Sequence, residues 1–426
     1  MKRALLTVIF VGVFSLAVRS QHPVQSERDA RKTYPDFALE ASPINTSPGP
    51  EYVTRTRVYQ GMPGIERSAN GRLWALWNAA GTGDSFGEGP FDYVVLVTRG
   101  DEGKTWSEPK LVIDPPGNVH AWGGCLWVDP RGRLWLFWSQ DYGEWDGRGG
   151  VWAIGSSNPD SENPKWSKPR RIANGEVQNK LTVLKTGEWL LPVAVWPWEC
   201  NLPEANERFR LGLSPSAIKA LCHDLGEEKG LNVYVSADQG KIWKLLGQVH
   251  GADKDQPLEH MIVERHDGSL WMLVRTSYGI GQAFSKDRGK IWEQISPSGI
   301  PHPRARFFIR RLNSGRLLMV RHNPPAVEYP ENCDHCGQMN RSHLTAYLSD
   351  DDGGSWYGGL LLDEREKVSY PDGVEADNGK IYVIYDRGRN TDREILMATF
   401  TEEDVRQGKC ATRQCQLKML VNKAGE

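Results

Sequence analysis

A short unit recurs six times along the chain: a turn residue, a glycine, one spacer, and then a run of apolar and aromatic residues. It begins at Asn70-Gly71, Arg131-Gly132, Thr186-Gly187, Asp267-Gly268, Ser314-Gly315 and Asn378-Gly379. The second copy continues as Leu134, Trp135, Leu136, Phe137 and Trp138, with no polar residue between them. Asn-Gly and Asp-Gly close tight hairpins because glycine takes a positive φ without steric cost. A run with no polar alternation has to be covered on both of its faces. Six hairpins of this kind, spaced at about the length of a four-stranded unit, predict an all-β, six-bladed β-propeller with four-stranded antiparallel blades.

A second repeat falls between the first. Ser236-x-Asp238-x-Gly240-x-x-Trp243, Ser285-x-Asp287-x-Gly289-x-x-Trp292 and Ser349-x-Asp351-x-Gly353-x-x-Trp356 follow one template. Asp101, Gly103 and Trp106 follow it with Arg99 in the serine place, and Ser157 to Trp166 is a stretched copy. The Asp can accept amides of its own turn, and the Trp can pack between blades. This motif resembles the Asp-box of sialidases and several other propellers. It speaks for the fold and does no chemistry.

Composition bounds the partners. There are 52 Lys plus Arg against 54 Asp plus Glu, so no basic face is expected to attract nucleic acid. Residues 1–20 carry two basic residues before the apolar run Ala4 to Val18, the pattern of a secretory signal peptide. The chain is therefore expected to be secreted or periplasmic, with no membrane span after signal removal. Residues 21–50 read as an N-terminal extension, 51–405 as the propeller, and 406–426 as a C-terminal tail. The periodicity breaks at about 203–230, where Ser214-Pro215 opens a helical pattern, read as an insert between blades three and four. Seven cysteines leave an odd thiol, expected to be a buried Cys125. Cys333, Cys336, Cys410 and Cys415 fit either a structural zinc site or disulfides, and no catalytic cofactor is implied.

With six blades expected, individual segments resemble those of the sialidase (neuraminidase) superfamily over most of residues 55 to 400. The segment Glu259 to Arg275 resembles the family stretch in which a Glu precedes a hairpin and an arginine ends the next strand. Asn340-Arg341-Ser342 resembles the segment of another arginine, and Ser369-Tyr370-Pro371-Asp372-Gly373 that of the nucleophilic tyrosine. Gly87-Glu88-Gly89 resembles the acid/base loop with Glu in place of Asp; Asp84 and Asp92 compete for that role. The resemblance implies Tyr370 as nucleophile, Glu259 as its base, Glu88 as acid/base, and Arg275 and Arg341 as carboxylate binders. The family's first arginine has no counterpart: Gly61 stands there, before Met62-Pro63-Gly64-Ile65. A gap is expected at Gly61, with Arg306, Arg321 or Arg387 as candidates to converge on the pocket.

His120, His260 and Trp122 complete the expected substrate-binding set. Trp77, Trp138, Trp196 and Trp198 also lie near strand ends, with Trp122 and Trp196 favoured for stacking on sugar and the rest for packing between blades. The reading that follows is a secreted exo-glycosidase of sialidase type, acting with retention on an acidic glycan. Two alternatives remain open: a polysaccharide lyase on uronate-containing polysaccharide, with a histidine as base, and a non-catalytic glycan-binding propeller.

Overall fold

A computed structural model describes residues 36–81, 87–100, 105–252, 255–325 and 340–425. The signal-peptide segment, Asp84, the Asp101–Gly103 turn, Cys333 and Cys336 lie outside the described residues. Six antiparallel sheets follow one another along the chain at 57–113, 119–173, 182–249, 260–297, 308–363 and 368–423. Five have four strands; the first gains a fifth, Ile44–Asn45, paired to the outer edge strand Leu111–Ile113. The fold is the expected six-bladed propeller.

Each glycine turn joins the first and second strands of its blade, with φ from 76° at Gly379 to 97° at Gly187. The second strands that follow are buried on both faces, as in Leu134–Tyr142. The three complete Asp-boxes join third to fourth strands. In the first, Ser236 Oγ donates to Asp238 Oδ1 (2.9 Å), and that oxygen also accepts the Ile242 amide (2.9 Å). In the stretched copy Ser156, rather than Ser157, takes the serine place and Asn158 the aspartate's, its Oδ1 accepting the Lys165 amide at 3.1 Å.

The apolar core is divided into slabs between neighbouring blades, one cluster for each of the six interfaces. Trp243 and Trp356 of the Asp-boxes pack into two of them. Every blade is one continuous stretch of chain, so the ring closes by contact between blades six and one and not by an exchanged strand. Gln60 bridges them through its amide to Arg389 O (3.3 Å) and its side chain to Arg393 O (2.7 Å).

Two expected boundaries need correction. Gln416–Lys423 is the outer strand of blade six and not a tail, because its amides complete the edge of Glu394–Phe400. The insert lies within blade three, between Trp189–Val195 and Gly230–Ser236, rather than between blades three and four. It forms two short helices, Leu202–Phe209 and Pro215–Leu221, the second capped by Ser214 Oγ accepting the Ala217 amide. A Cys200–Cys222 disulfide and a small apolar cluster with Ala38, Val119 and Tyr142 hold it down. Cys410 and Cys415 are also disulfide-bonded, which takes both thiols from any zinc site. Cys125 is free and buried, its thiol pushed up to about 12 by burial.

This connectivity decides where a site can form. Strands alternate in direction, so glycine turns and Asp-boxes share one end of the ring. The loops between second and third strands and the crossings between blades share the other.

Candidate active site

At that second end a cavity of about 810 Å³ opens at the ring centre. Three of the inner strands bordering it are bulged: register shifts occur at Gly61/Gly64 in blade one, Trp122/Cys125 in blade two and Ser369/Asp372 in blade six. A bulge turns a side chain that would enter a blade interface toward the axis instead. Tyr370 sits on the last one at φ 51°, a left-handed conformation that a tyrosine holds only under constraint. The blade-one bulge is fixed from blade six, where buried Asp386 accepts the Met62 amide (2.7 Å) and Asp372 the Ile65 amide (2.9 Å).

At the cavity floor the Tyr370 hydroxyl donates to Glu259 Oε1 at 2.6 Å. Arg275 Nη1 donates to both Glu259 oxygens (2.9 Å each) and to the Tyr370 oxygen (3.0 Å). All three side chains are buried. Burial alone would raise the Glu259 carboxyl, but Arg275 and the Tyr370 hydroxyl hold it below the ordinary range. Burial and the Glu259 charge raise the Tyr370 hydroxyl, while Arg275, Arg389 and Arg341 pull it back. The hydroxyl is thus protonated at rest, beside an ionised base and under three cations.

Arg341 reaches Ser369 Oγ (3.1 Å), with Nη2 3.5 Å from Arg304 O. Among the described residues no carboxylate ion-pairs with Arg341 or Arg304, and the Nε of each is buried without a partner. Burial and the neighbouring Arg275 and Arg389 lower the Arg341 guanidinium to about 10. A cation that burial and like charges disfavour, with no counter-ion of its own, makes a place for an anion.

The expected gap at Gly61 is not there. Arg389, from the loop after the second strand of blade six, passes over it so closely that a Cβ on Gly61 would lie 2.6 Å from its Cδ. Arg389 donates from Nε to Asp386 Oδ2 (3.0 Å), pairs with Glu88, and lies with Cζ 4.1 Å from the Tyr370 ring centroid. A guanidinium therefore occupies the blade-one side of the site after all, carried by blade six. Its sequence signal was weak: Arg387, an expected candidate at the end of the strand just before that loop, pairs instead with Asp392 and Glu394.

Glu88 stands exposed at the cavity mouth at φ 55°. Its carboxyl accepts from the Tyr59 hydroxyl (3.3 Å) and from Arg389. Loss of water at the mouth would raise it, but Arg389 keeps it below the ordinary range. Asp92 also lines the cavity and accepts the Glu88 amide at 3.1 Å, so it shapes the loop.

Of the other expected site residues, His120 and Trp122 line the cavity. His120 Nδ1 is 2.9 Å from Gly89 O, and its buried Nε2 has no hydrogen-bond partner. Trp122 Nε1 donates to Asp141 Oδ2 at 2.8 Å. Arg306 is not a lining residue: its guanidinium is spent on Asn179 Oδ1, Pro371 O and Gln178 O beneath the floor. Arg321 lies away from the cavity, bonded to Pro301 O and stacked over Tyr347. His260 points into the sheet, with Nε2 3.0 Å from Asn232 O, and burial lowers it to about 4. Trp77 and Trp138 are fully buried between blades, whereas Trp196 and Trp198 line the cavity. Arg304, Lys367, Arg389, Glu144 and Asn201 are lining residues that the sequence did not single out.

A family model described as BNR repeat-like domain matches residues 71–383. No curated protein sequence matches the chain. Among solved structures, the chain is similar to a protein of unknown function from Dyadobacter fermentans, at 17% identity over 81% of this chain and 95% of that one, TM-score 0.55. It is similar to an intramolecular trans-sialidase from Ruminococcus gnavus, at 13% identity over 83% and 96%, TM-score 0.57. It is similar too to the NanB sialidase of Streptococcus pneumoniae, at 12% identity over 86% and 70%, TM-score 0.53. At such identities the structural likeness speaks for the fold. With the family model spanning most of its six blades, the chain belongs to the BNR repeat-like domain family.

Proposed function

We propose that this protein is a glycoside hydrolase that releases an acidic, carboxylate-bearing sugar with retention of configuration. The observation that carries the reading is the 2.6 Å contact between the Tyr370 hydroxyl and Glu259, with Arg275 on both partners, at the floor of an arginine-lined cavity. A carboxylate beside the anomeric carbon would repel an anionic nucleophile; a neutral tyrosine avoids this. Glu259 takes the phenol proton as the Tyr370 oxygen bonds to the anomeric carbon and the glycosidic bond breaks. Water, giving a proton to Glu88, then displaces the tyrosine, which takes its own proton back from Glu259. Arg341, Arg389 and Arg275 hold the substrate carboxylate.

Glu88 is the proposed proton donor to the leaving oxygen, yet paired with Arg389 it is an ionised carboxylate. In this reading the arriving substrate carboxylate draws Arg389 from Glu88. The Glu88 carboxyl then rises and can carry the proton, so the acid is armed only when an acidic sugar is bound.

Export to an oxidising compartment is part of the proposal, supported by the character of residues 1–20 and by two disulfides. Among the described residues no helix is long and apolar enough to cross a membrane. The lyase reading keeps one observation in its favour, the His120 imidazole at the cavity wall, whose Nε2 makes no hydrogen bond and lies 3.7 Å from Asp141 Oδ2. The test is Tyr370→Phe assayed on a panel of acidic glycans. Loss of turnover with binding retained, and release of a reducing sugar without a new ultraviolet band, support the hydrolase. An unsaturated uronate product, abolished by His120→Ala, replaces it with the lyase. An active Phe variant rejects Tyr370 as nucleophile.

A further inference from the structure

Beneath the cavity floor, blade three departs from its neighbours. Its first strand, Thr182–Val183, has two residues, where those of the other five blades have four to eleven. The second strand of the blade, Trp189–Val195, supplies the reason. Ala194 exchanges both backbone hydrogen bonds with Glu176 (2.7 and 3.0 Å). Pro192, two residues before it, turns the same backbone side toward the first strand and has no N–H to offer. The ladder lapses there, and Gln178, Asn179 and Lys180 leave the sheet while staying buried. A buried connection has to find partners for its polar groups, and this one finds them in the five other blades.

Lys180 Nζ donates to Ile65 O (2.5 Å) and Glu66 Oε2 (2.6 Å) of blade one and to Leu126 O (2.7 Å) of blade two, and lies 3.2 Å from Asp372 Oδ2 of blade six. Asn179 Nδ2 donates to His260 O of blade four at 2.9 Å. Arg306, two residues before the first strand of blade five, donates from Nε to Asn179 Oδ1 (2.8 Å) and from Nη2 to Gln178 O (2.7 Å). Its Nη1 donates to Pro371 O of blade six at 2.9 Å. Two of these acceptors are chain neighbours of the reacting pair: His260 follows Glu259, and Pro371 follows Tyr370. Asn179 and Arg306 therefore bridge the backbone beside the base to the backbone beside the nucleophile, below the contact that the two side chains make. Tyr370 sits on a bulge and Glu259 one residue outside its strand, so the ladders alone do not fix their separation. Apolar side chains could fill this space without the cost of burying two cations, but they could not tie the two backbones together.

We infer that Asn179 and Arg306 are positioning residues for the reaction. They hold the Tyr370 hydroxyl and Glu259 at proton-transfer distance, and Lys180 locks the same segment to blades one, two and six. Neither side chain touches substrate; each acts through the backbone of a reacting residue's neighbour. The inference deepens the proposed function and rests on its assignment of Tyr370 as nucleophile and Glu259 as base.

The test uses the mature full-length protein, isotopically labelled at tyrosine Cζ for NMR, with the Tyr370 signal identified by its loss in Tyr370→Phe. Kinetics are followed on aryl glycosides of N-acetylneuraminic and glucuronic acids. Asn179→Ala is expected to move the Tyr370 signal toward that of an ordinary tyrosine. It should lower kcat by about 10- to 100-fold, the scale of a misplacement of about 1 Å. KM should hardly change, because Arg341 and Arg389 still hold the carboxylate. Arg306→Lys cuts the same bridge, so the double variant should lose little more than either single one. Thr182→Val removes a different bond between blades three and four, from Thr182 Oγ1 to Ile262 O, and should lower thermal stability without moving the Tyr370 signal. If Asn179→Ala does not fold, Asn179→Ser takes its place: the hydroxyl can still meet Arg306 but is too short to reach His260 O as well. A Tyr370 signal unmoved in the folded variants, or losses that add in the double variant, overturns the positioning role. A moved signal with no turnover of either glycoside by the unmodified protein leaves the bridge standing and rejects the glycosidase reading.

Discussion

Arg389 and Gly61 form a pair that can be exchanged. Arg389→Ala removes one of three guanidinium groups over the floor and leaves buried Asp386 with only the Met62 amide on Oδ2. A charge-assisted hydrogen bond is worth about 1.5–3 kcal/mol, so kcat/KM on an acidic substrate should fall by roughly 10- to 150-fold. Gly61→Arg alone should be at least as harmful, because its Cβ would meet the Arg389 side chain at 2.6–2.9 Å. The double variant relieves that clash and returns a guanidinium to the same side of the site from blade one. It should therefore exceed either single variant in kcat/KM, giving a favourable coupling of about 1–3 kcal/mol in a double-mutant cycle. The assay is the cycle itself, on one acidic aryl glycoside, with thermal melting of all four proteins to separate folding from binding. Additive losses, or an Arg389→Ala enzyme with unchanged kcat/KM, would refute the claim that Arg389 fills the missing position.

Other expectations follow from the same contacts. Glu259 has its carboxyl held below the usual range by Arg275, so the activity it supports should persist below about pH 4.3 and vanish only as pH falls further. Its contribution to stability has the same sign, present above the unfolded value and lost as pH falls through the folded one. In Arg389→Lys the weakened hold on Glu88 should raise that carboxyl, seen as an upward shift of the alkaline limb of the kcat/KM profile, which a proton donor sets; an unmoved limb argues against the pairing. Buried His260 and His322, lowered to about 4 and about 3, are neutral when folded. The unfolded chain binds their protons first, so stability should fall below about pH 6.5, by roughly 1.4 kcal/mol per pH unit for each histidine. Urea midpoints between pH 7 and 5 should show a shallower slope in His260→Gln, and an identical slope would contradict this. Cys200→Ser/Cys222→Ser opens a link spanning 22 residues, so a loss of about 3 kcal/mol is expected in denaturant titrations.

What the sequence determined by itself was the repeating architecture. A glycine turn or an Asp-box is settled by hydrogen bonds within a few residues, as when Ser285 Oγ donates to Asp287 Oδ1 and accepts the Gly289 amide. Six such turns leave little choice of fold. The positions of Tyr370, Glu259, Arg275 and Arg341 were legible through family resemblance, and the structure brings Tyr370, Arg275 and Arg341 to one cavity with Glu259 bonded to the first two from behind. Everything that depends on which loops meet at the ring centre was illegible. Glu88 and Arg389 pair across 301 residues, and nothing local to either tells that Gly61 has made room for one of them. Arg306 looked equally suited to the pocket, but three backbone and amide oxygens claim it below the floor. Trp198 is set apart from the buried Trp77 and Trp138 only by a disulfide-braced insert that leaves its face open. Strand chemistry is local and repeats; a site at the axis is a convergence of six separate chain segments, and only the closed ring specifies it.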